Sequence, residues 1–190
     1  MEKKARPDLL PVGPLMIEHR LIERVVALLE RESSRIRDLN RLNLILLNAA
    51  IDFFKVYADR CHHGKEEDIL FFELKKKSLS EDDKKMIEEL IRDHVFGRGL
   101  VSGLASGVEG SCRQCDPGII KSIDQDLGKL TEFYRAHIEK EDKRFFIPAM
   151  KYLTEAEQAD MLCRFREFDR ELFHGTYKDI VSQLEKGSAI

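Results

Sequence analysis

Four histidines divide this chain at matched intervals, and that spacing constrains the fold more than any other feature. His62 follows His19 by 43 residues and His137 follows His94 by 43, so each histidine of the first pair recurs 75 residues on. Local sequence keeps the same shift. HHGKEEDILFF (62–72) lies over HIEKEDKRFFI (137–147), both reading H-x-x-K-E-acid ahead of an aromatic or apolar pair, and IEH (17–19) lies more weakly over RDH (92–94). The shift pairs Glu66 with Glu141, His63 with Ile138 and Glu67 with Asp142. Such a chain is expected to fold as two like halves.

Each half reads as a helix hairpin. Gly and Pro are sparse inside long runs of helix formers, and few windows alternate with period two. Pro7, Pro11 and Pro14 mark an irregular lead-in, with Pro14 placed to open a helix running to about residue 36. A second helix is expected over about 39–77, and a third over about 81–108 with Ser80 as its cap. After the loop EGSCRQCDPG a fourth covers about 118–151, and Thr154 with Glu157 forms a capping box for a fifth. A shorter sixth closes the chain. The expected fold is all-α: an antiparallel up-down four-helix bundle with an internal two-fold hairpin repeat, plus two short C-terminal helices. One domain spans 1–190, with the bundle over about 12–151 and the extension over about 152–190.

Composition narrows the function. A net charge of −3 and a pI near 6.1 argue against a nucleic-acid partner. No apolar run approaches the roughly 18–20 residues of a membrane span, and MEKKARPDLLPVGP lacks the apolar core of a secretory signal. Cys61, Cys112, Cys115 and Cys163 show no disulfide-framework spacing, so a reducing cytoplasm is the expected setting. Monomer and homodimer both remain open.

The buried stripe of each long helix carries one histidine. The stripes run through Leu15, His19 and Ile22; through Ala58, His62, Glu66 and Ile69; through Leu90, His94 and Val101; and through Tyr134, His137, Glu141 and Phe145. In each hairpin the two histidines lie about 20 residues from the bend, hence at similar height, so four imidazoles and two carboxylates are expected in one layer. Buried carboxylates cost several kcal/mol each unless a cation or metal faces them. A network of protonated histidines paired with glutamates would answer that need, and so would a metal. Zinc is content with four ligands. Six nitrogen and oxygen ligands, two able to bridge, suit a pair of irons or manganese better. Two six-coordinate metals need about twelve positions, of which the side chains fill about eight and a bridging oxide or hydroxide about two. Room is left for a small molecule.

The pattern H…HxxxE…H…HxxxE on four helices resembles the hemerythrin-like, or HHE cation-binding, family over roughly residues 12–151. The resemblance implies a non-haem di-iron centre, oxide- or hydroxide-bridged, ligated by His19, His62, Glu66, His94, His137 and Glu141, with both glutamates bridging. Oxygen-carrying members place a further histidine one turn after the third-helix histidine, where this chain has Arg98, and end on an aspartate five residues after the last histidine, where this chain has Glu141 four after His137. The chain is closer to the four-His, two-Glu branch, which implies handling or sensing of O₂, NO or peroxide with an electron donor that the sequence does not identify. An iron or oxygen sensor without turnover is the alternative, and a metal-free helical interaction module is a third reading.

Further residues carry paired expectations. Tyr134, one turn before His137, is a candidate to hydrogen-bond a ligand or pass an electron, or a core tyrosine satisfied elsewhere. His63, about 100° around the helix from His62, is read as turned away from the inner face. It and Glu67 are then either orienting partners of the ligands or contacts to a neighbouring helix. Arg98 is expected to pair with a surface acid and Glu23 to be solvated. Gly99, Gly103 and Gly107 suggest close helix approach or a small-residue channel, and Gly97 room beside the metals. The CRQC motif lies on the order of 30 Å from the histidine layer, too far to ligate it, and is open to a separate redox role. Cys61 is expected to face aside, and His174 to be structural.

Overall fold

The computed structural model describes the backbone of residues 10–113, 116–170 and 174–187. Six helical rods and no strand occur among them. Helix α1 covers Val12–Leu39, and α2 runs from Leu44–Phe53 through two π-helical stretches, Phe54–His63 and Glu66–Phe71, to Phe72–Leu74. Helix α3 is Glu81–Arg113. Helix α4 joins Pro117–Lys140 to a π-helical Glu141–Phe145, then Phe146–Ala149 and a closing 3₁₀ turn. Helices α5, Glu155–Arg170, and α6, His174–Gly187, complete the chain.

Local chemistry places the ends. Helix α1 opens earlier than Pro14, which sits in the first turn where its missing N–H costs nothing. It stops at Asn40, whose left-handed φ of 50° lets its N–H bond the Ile36 carbonyl. Asn43 then caps α2, its side chain accepting the Leu46 N–H at 3.1 Å. Ser80 Oγ accepts the Asp83 N–H at 3.2 Å to cap α3. Asp116 caps α4 ahead of Pro117 at its first position. The capping box of α5 is complete: Thr154 Oγ1 accepts the Glu157 N–H and Glu157 accepts the Thr154 N–H at 2.9 Å.

Helix α1 packs on α2 and α4, and α3 on α2 and α4, which makes the up-down ring of the expected bundle. Helix α6 lies against α1 and α2, and α5 against the second π-helical stretch of α2. The apolar interior is split in two. One cluster holds Ile22, Val26, Leu47, Phe54, Leu104 and Leu127 among others, and the other holds Leu15, Phe71, Leu90, Phe145 and Phe165. The histidine layer lies between them. Gly99 and Gly103 face open space, so close helix approach does not involve them, whereas a Cβ at Gly107 would meet Ile123 at 3.3 Å.

Candidate metal centre

The six residues singled out by spacing are brought together at full burial. His19, His62, Glu66, His94, His137 and Glu141 are each at most 2 % exposed. His19 and His62, from the first hairpin, have ring centroids 4.5 Å apart, and His94 and His137, from the second, 5.0 Å. Glu66 stands between the pairs, one oxygen 3.4 Å from His62 Nε2 and the other 3.3 Å from His94 Nε2. Glu141 Oε2 lies 3.2 Å from His19 Nε2 and 3.4 Å from His137 Nε2. Yet the four Nε2 atoms and all four carboxylate oxygens are buried without a hydrogen bond. Eight orphaned donor atoms converging on one space would suit a bound metal, and a fully hydrogen-bonded structural network would not leave them so.

The other ring nitrogens explain the orientation. His19 Nδ1 donates to Asp142 at 2.8 Å, His62 Nδ1 to Glu18 at 2.9 Å and His94 Nδ1 to Glu67 at 2.7 Å, while His137 Nδ1 faces Asp93 at 3.4 Å. Each carboxylate turns Nε2 inward and raises its basicity. These partners obey the repeat: Glu18 lies 75 residues before Asp93, and Glu67 lies 75 before Asp142. So do the lysines behind them. Lys65 bonds Glu18, and Lys140 bonds Asp93 at 2.7 Å. Glu67 is therefore an orienting partner, the first of its two readings. Glu18, Asp93, Asp142 and the lysines were not singled out, although the acid before each first histidine and the K-E-acid run carried the signal.

In the metal-free protein the same contacts set protonation. Burial opposes a charge on His19, but Asp142 and Glu141 outweigh it and raise the imidazole to about 10. For His94, Glu141, Glu66 and Glu67 likewise overcome burial and raise it to about 11. Glu141 is held well below the carboxylate range despite its burial, by His137 and His19.

His63 corrects the sequence reading. Instead of turning aside it is buried at 2 % exposure, stacked on His94 at 3.9 Å with planes 11° apart, and 5.7 Å from the His137 ring. The cause is the π-helix over Phe54–His63. Its i→i+5 bonds advance each residue by less than the roughly 100° of an α-helix, so neighbours 62 and 63 both fit the inner face. Burial, then the histidines His94, His62 and His137, hold the His63 imidazole well below its ordinary range, hence neutral.

Around His63 lies a cavity of about 80 Å³ lined by Phe54, Asp59, Arg98, Val101 and Tyr134. Tyr134 is 2 % exposed and packs at a tilt on Phe54, ring centroids 4.5 Å apart, with its side chain on the cavity wall. Arg98 bonds Asp59 and Glu67, each at 2.7 Å, pairing with acids as expected but with those that face His63 and His94. Glu23 pairs with Arg20 at the surface. Gly97 makes room for the Phe133 ring rather than for metal; a Cβ there would meet that ring, which stacks on His137, at 2.8 Å. Cys61 is buried outside both histidine groups. Cys115 and the side chains of Cys112 and His174 lie outside the described residues.

The sequence model of the hemerythrin HHE cation binding domain matches residues 10–147. The chain belongs to that family. Comparison with curated proteins and with solved structures returned no match. Family membership and the His/Glu cluster agree on a metal-binding protein, iron being the metal they favour. No helix among the described residues is long and apolar enough to cross a membrane.

Proposed function

We propose that this hemerythrin-family chain holds two irons through His19, His62, Glu66, His94, His137 and Glu141, and that the pair binds a small ligand (O₂, NO or peroxide) and reduces or senses it. The observation that carries the reading is the set of eight buried, unbonded donor atoms, two imidazoles at each end and two carboxylates between. A reduced iron pair supplies up to two electrons and open positions for a diatomic molecule. The protein's part is to hold the rest in place. The Nδ1 carboxylates fix all four rings, and the two apolar clusters exclude bulk water from above and below. Tyr134 lines the adjoining cavity, where its hydroxyl would offer a hydrogen bond to a ligand, and the cavity's volume of about 80 Å³ accommodates a diatomic.

The deciding experiment is metal analysis followed by the absorption spectrum of anaerobically reduced, iron-loaded protein as oxygen is admitted and withdrawn. Irreversible conversion to a ferric spectrum supports ligand reduction, and a band that reverses supports carriage or sensing. Failure to retain two metal equivalents defeats the reading altogether.

One observation favours the sensor alternative. Lys65 is fully buried and bonds both Glu18, the partner of His62, and Asp169 of α5 at 2.7 Å. Displacement of His62 on oxidation would be felt through those two bonds by the C-terminal helices. Metal-dependent protease cleavage beyond residue 151, with slow or absent turnover, is its mark.

A further inference from the structure

The repeat extends to helical pitch, with one exception. The π-helical stretch Glu66–Phe71 of α2 shifts by 75 residues onto Glu141–Phe145 of α4, which is π-helical too. The stretch Phe54–His63 shifts onto residues 129–138, which are ordinary α-helix. The cavity lies along that unmatched stretch. Its whole α2 wall falls inside Phe54–His63, Asp59 and His63 included, and Arg98, Val101 and Ser102 face it from α3. Ser102, at the outer rim, is exposed, whereas His63 and Tyr134, at the inner end, are buried. None of the six ligand residues lines the cavity, so it stops one ring short of the centre, at His63 stacked on His94.

Arg98 ties both stacked rings from outside. Its Nε bonds Asp59 Oδ1 at 2.7 Å, the same oxygen that His63 Nδ1 faces at 3.4 Å. Its Nη2 bonds Glu67 Oε1 at 2.7 Å, the same oxygen to which His94 Nδ1 donates. Beyond the guanidinium lies a second, wider recess of about 410 Å³, walled by Asp59, Glu67 and Arg98 together with Asp68 and Phe168. Arg98 is 39 % exposed, and ion pairs that water reaches are weak enough to open and close. The exposed Asp68 carboxylate offers the turned-out guanidinium a second partner. We propose that Arg98 is the gate on a route by which a small uncharged molecule reaches the centre along the α2–α3 seam. With the guanidinium on Asp59 and Glu67, the route is shut at His63. With it turned into the outer recess, Asp59 is released and the His63 ring has the cavity to move into. Phe54, Val101 and Tyr134 along the route give an ion nothing in exchange for its water, which restricts passage to uncharged species.

The inference rests on the proposed function for what the molecule does on arrival, but the gate is tested without metal. In metal-free protein under oxygen pressure, paramagnetic relaxation of ring protons reports how often dissolved O₂ meets each histidine. The effect at His63 is expected to exceed that at the fully buried His19. It should rise several-fold in Arg98→Met, which removes both ion pairs, and fall to the His19 level in Ser102→Trp, which plugs the rim. Stopped-flow with nitric oxide and reduced, iron-loaded protein should rank the three association rates in the same order. An His63 relaxation that Arg98→Met leaves unchanged overturns the gate, and one that Ser102→Trp leaves unchanged overturns the route. A faster nitric oxide rate in Arg98→Met without increased relaxation also overturns it, since Arg98 would then act through Glu67 on His94. A wild type that retains no metal pair defeats the proposed function and not the gate, which the relaxation arm still decides. Melting of each metal-free variant checks the fold, and Arg98→Lys, a cation without the guanidinium fork, serves should the methionine variant not fold.

Discussion

His19 and His94 hold protons, in the metal-free protein, at pH values where a free imidazole does not. Their folded values, about 10 and about 11, lie above the ordinary 6.5. The pairing therefore stabilises the metal-free bundle fully below pH 6.5 and is lost as pH rises through 10 to 11. Its melting temperature should fall across that upper window. Loading at pH 7 must expel both protons, so calorimetry in buffers of different ionisation enthalpy should report about two protons released per centre. Zero release would mean that these imidazoles are not ligands. The Nδ1 carboxylates act one bond further out. Asp142→Asn and Glu67→Gln should each weaken metal retention by about 10–100-fold in chelator competition, and should also lower the metal-free melting temperature below pH 10, because each removes a partner of a protonated imidazole. Glu66→Ala removes both of its orphaned oxygens, and the gap in melting temperature between loaded and chelated protein should close.

At the scale of helices, much of the arrangement was legible in the sequence. The 75-residue shift and one histidine per stripe placed the four rods and the layer, and Thr154 with Glu157 marked the start of α5 to the residue. What escaped was helical pitch. A pattern read at 3.6 residues per turn puts His63 off the inner face, and nothing in FKVYADRCHH announces an i→i+5 ladder. The glycines of α3 show the same gap between pattern and packing: equal spacing, unequal surroundings. Gly99→Ala, in open space, should raise stability in urea unfolding by about 1 kcal/mol through helix propensity alone. Gly97→Ala drives a methyl into the Phe133 ring, an overpacking cost of about 1–3 kcal/mol, and should fall below Gly99→Ala. It should also perturb the His137 N–H resonance, because that ring is the one Phe133 covers.

Across the whole molecule, the two halves share one plan but not one environment. Lys140 sits at 20 % exposure with Asp93 and Glu89, whereas its counterpart Lys65 is sealed under α5 with Asp169 and the Phe165 ring. Lys65→Met should cost about 3 kcal/mol by leaving the buried Glu18 carboxylate short of its cation, and, by losing the bond to Asp169, should expose the chain beyond residue 151 to limited proteolysis. Lys140→Met should do neither. The Nδ1 braces run within and between the hairpins: Glu18 supports His62 inside the first, but His19 is held by Asp142 and His94 by Glu67, each across the divide. A nascent chain consequently cannot complete the first histidine's setting until residue 142, some 120 positions later, has left the ribosome and docked. Metal loading is thereby placed at the end of biosynthesis, and a truncated or half-made chain offers iron only an unfinished seat.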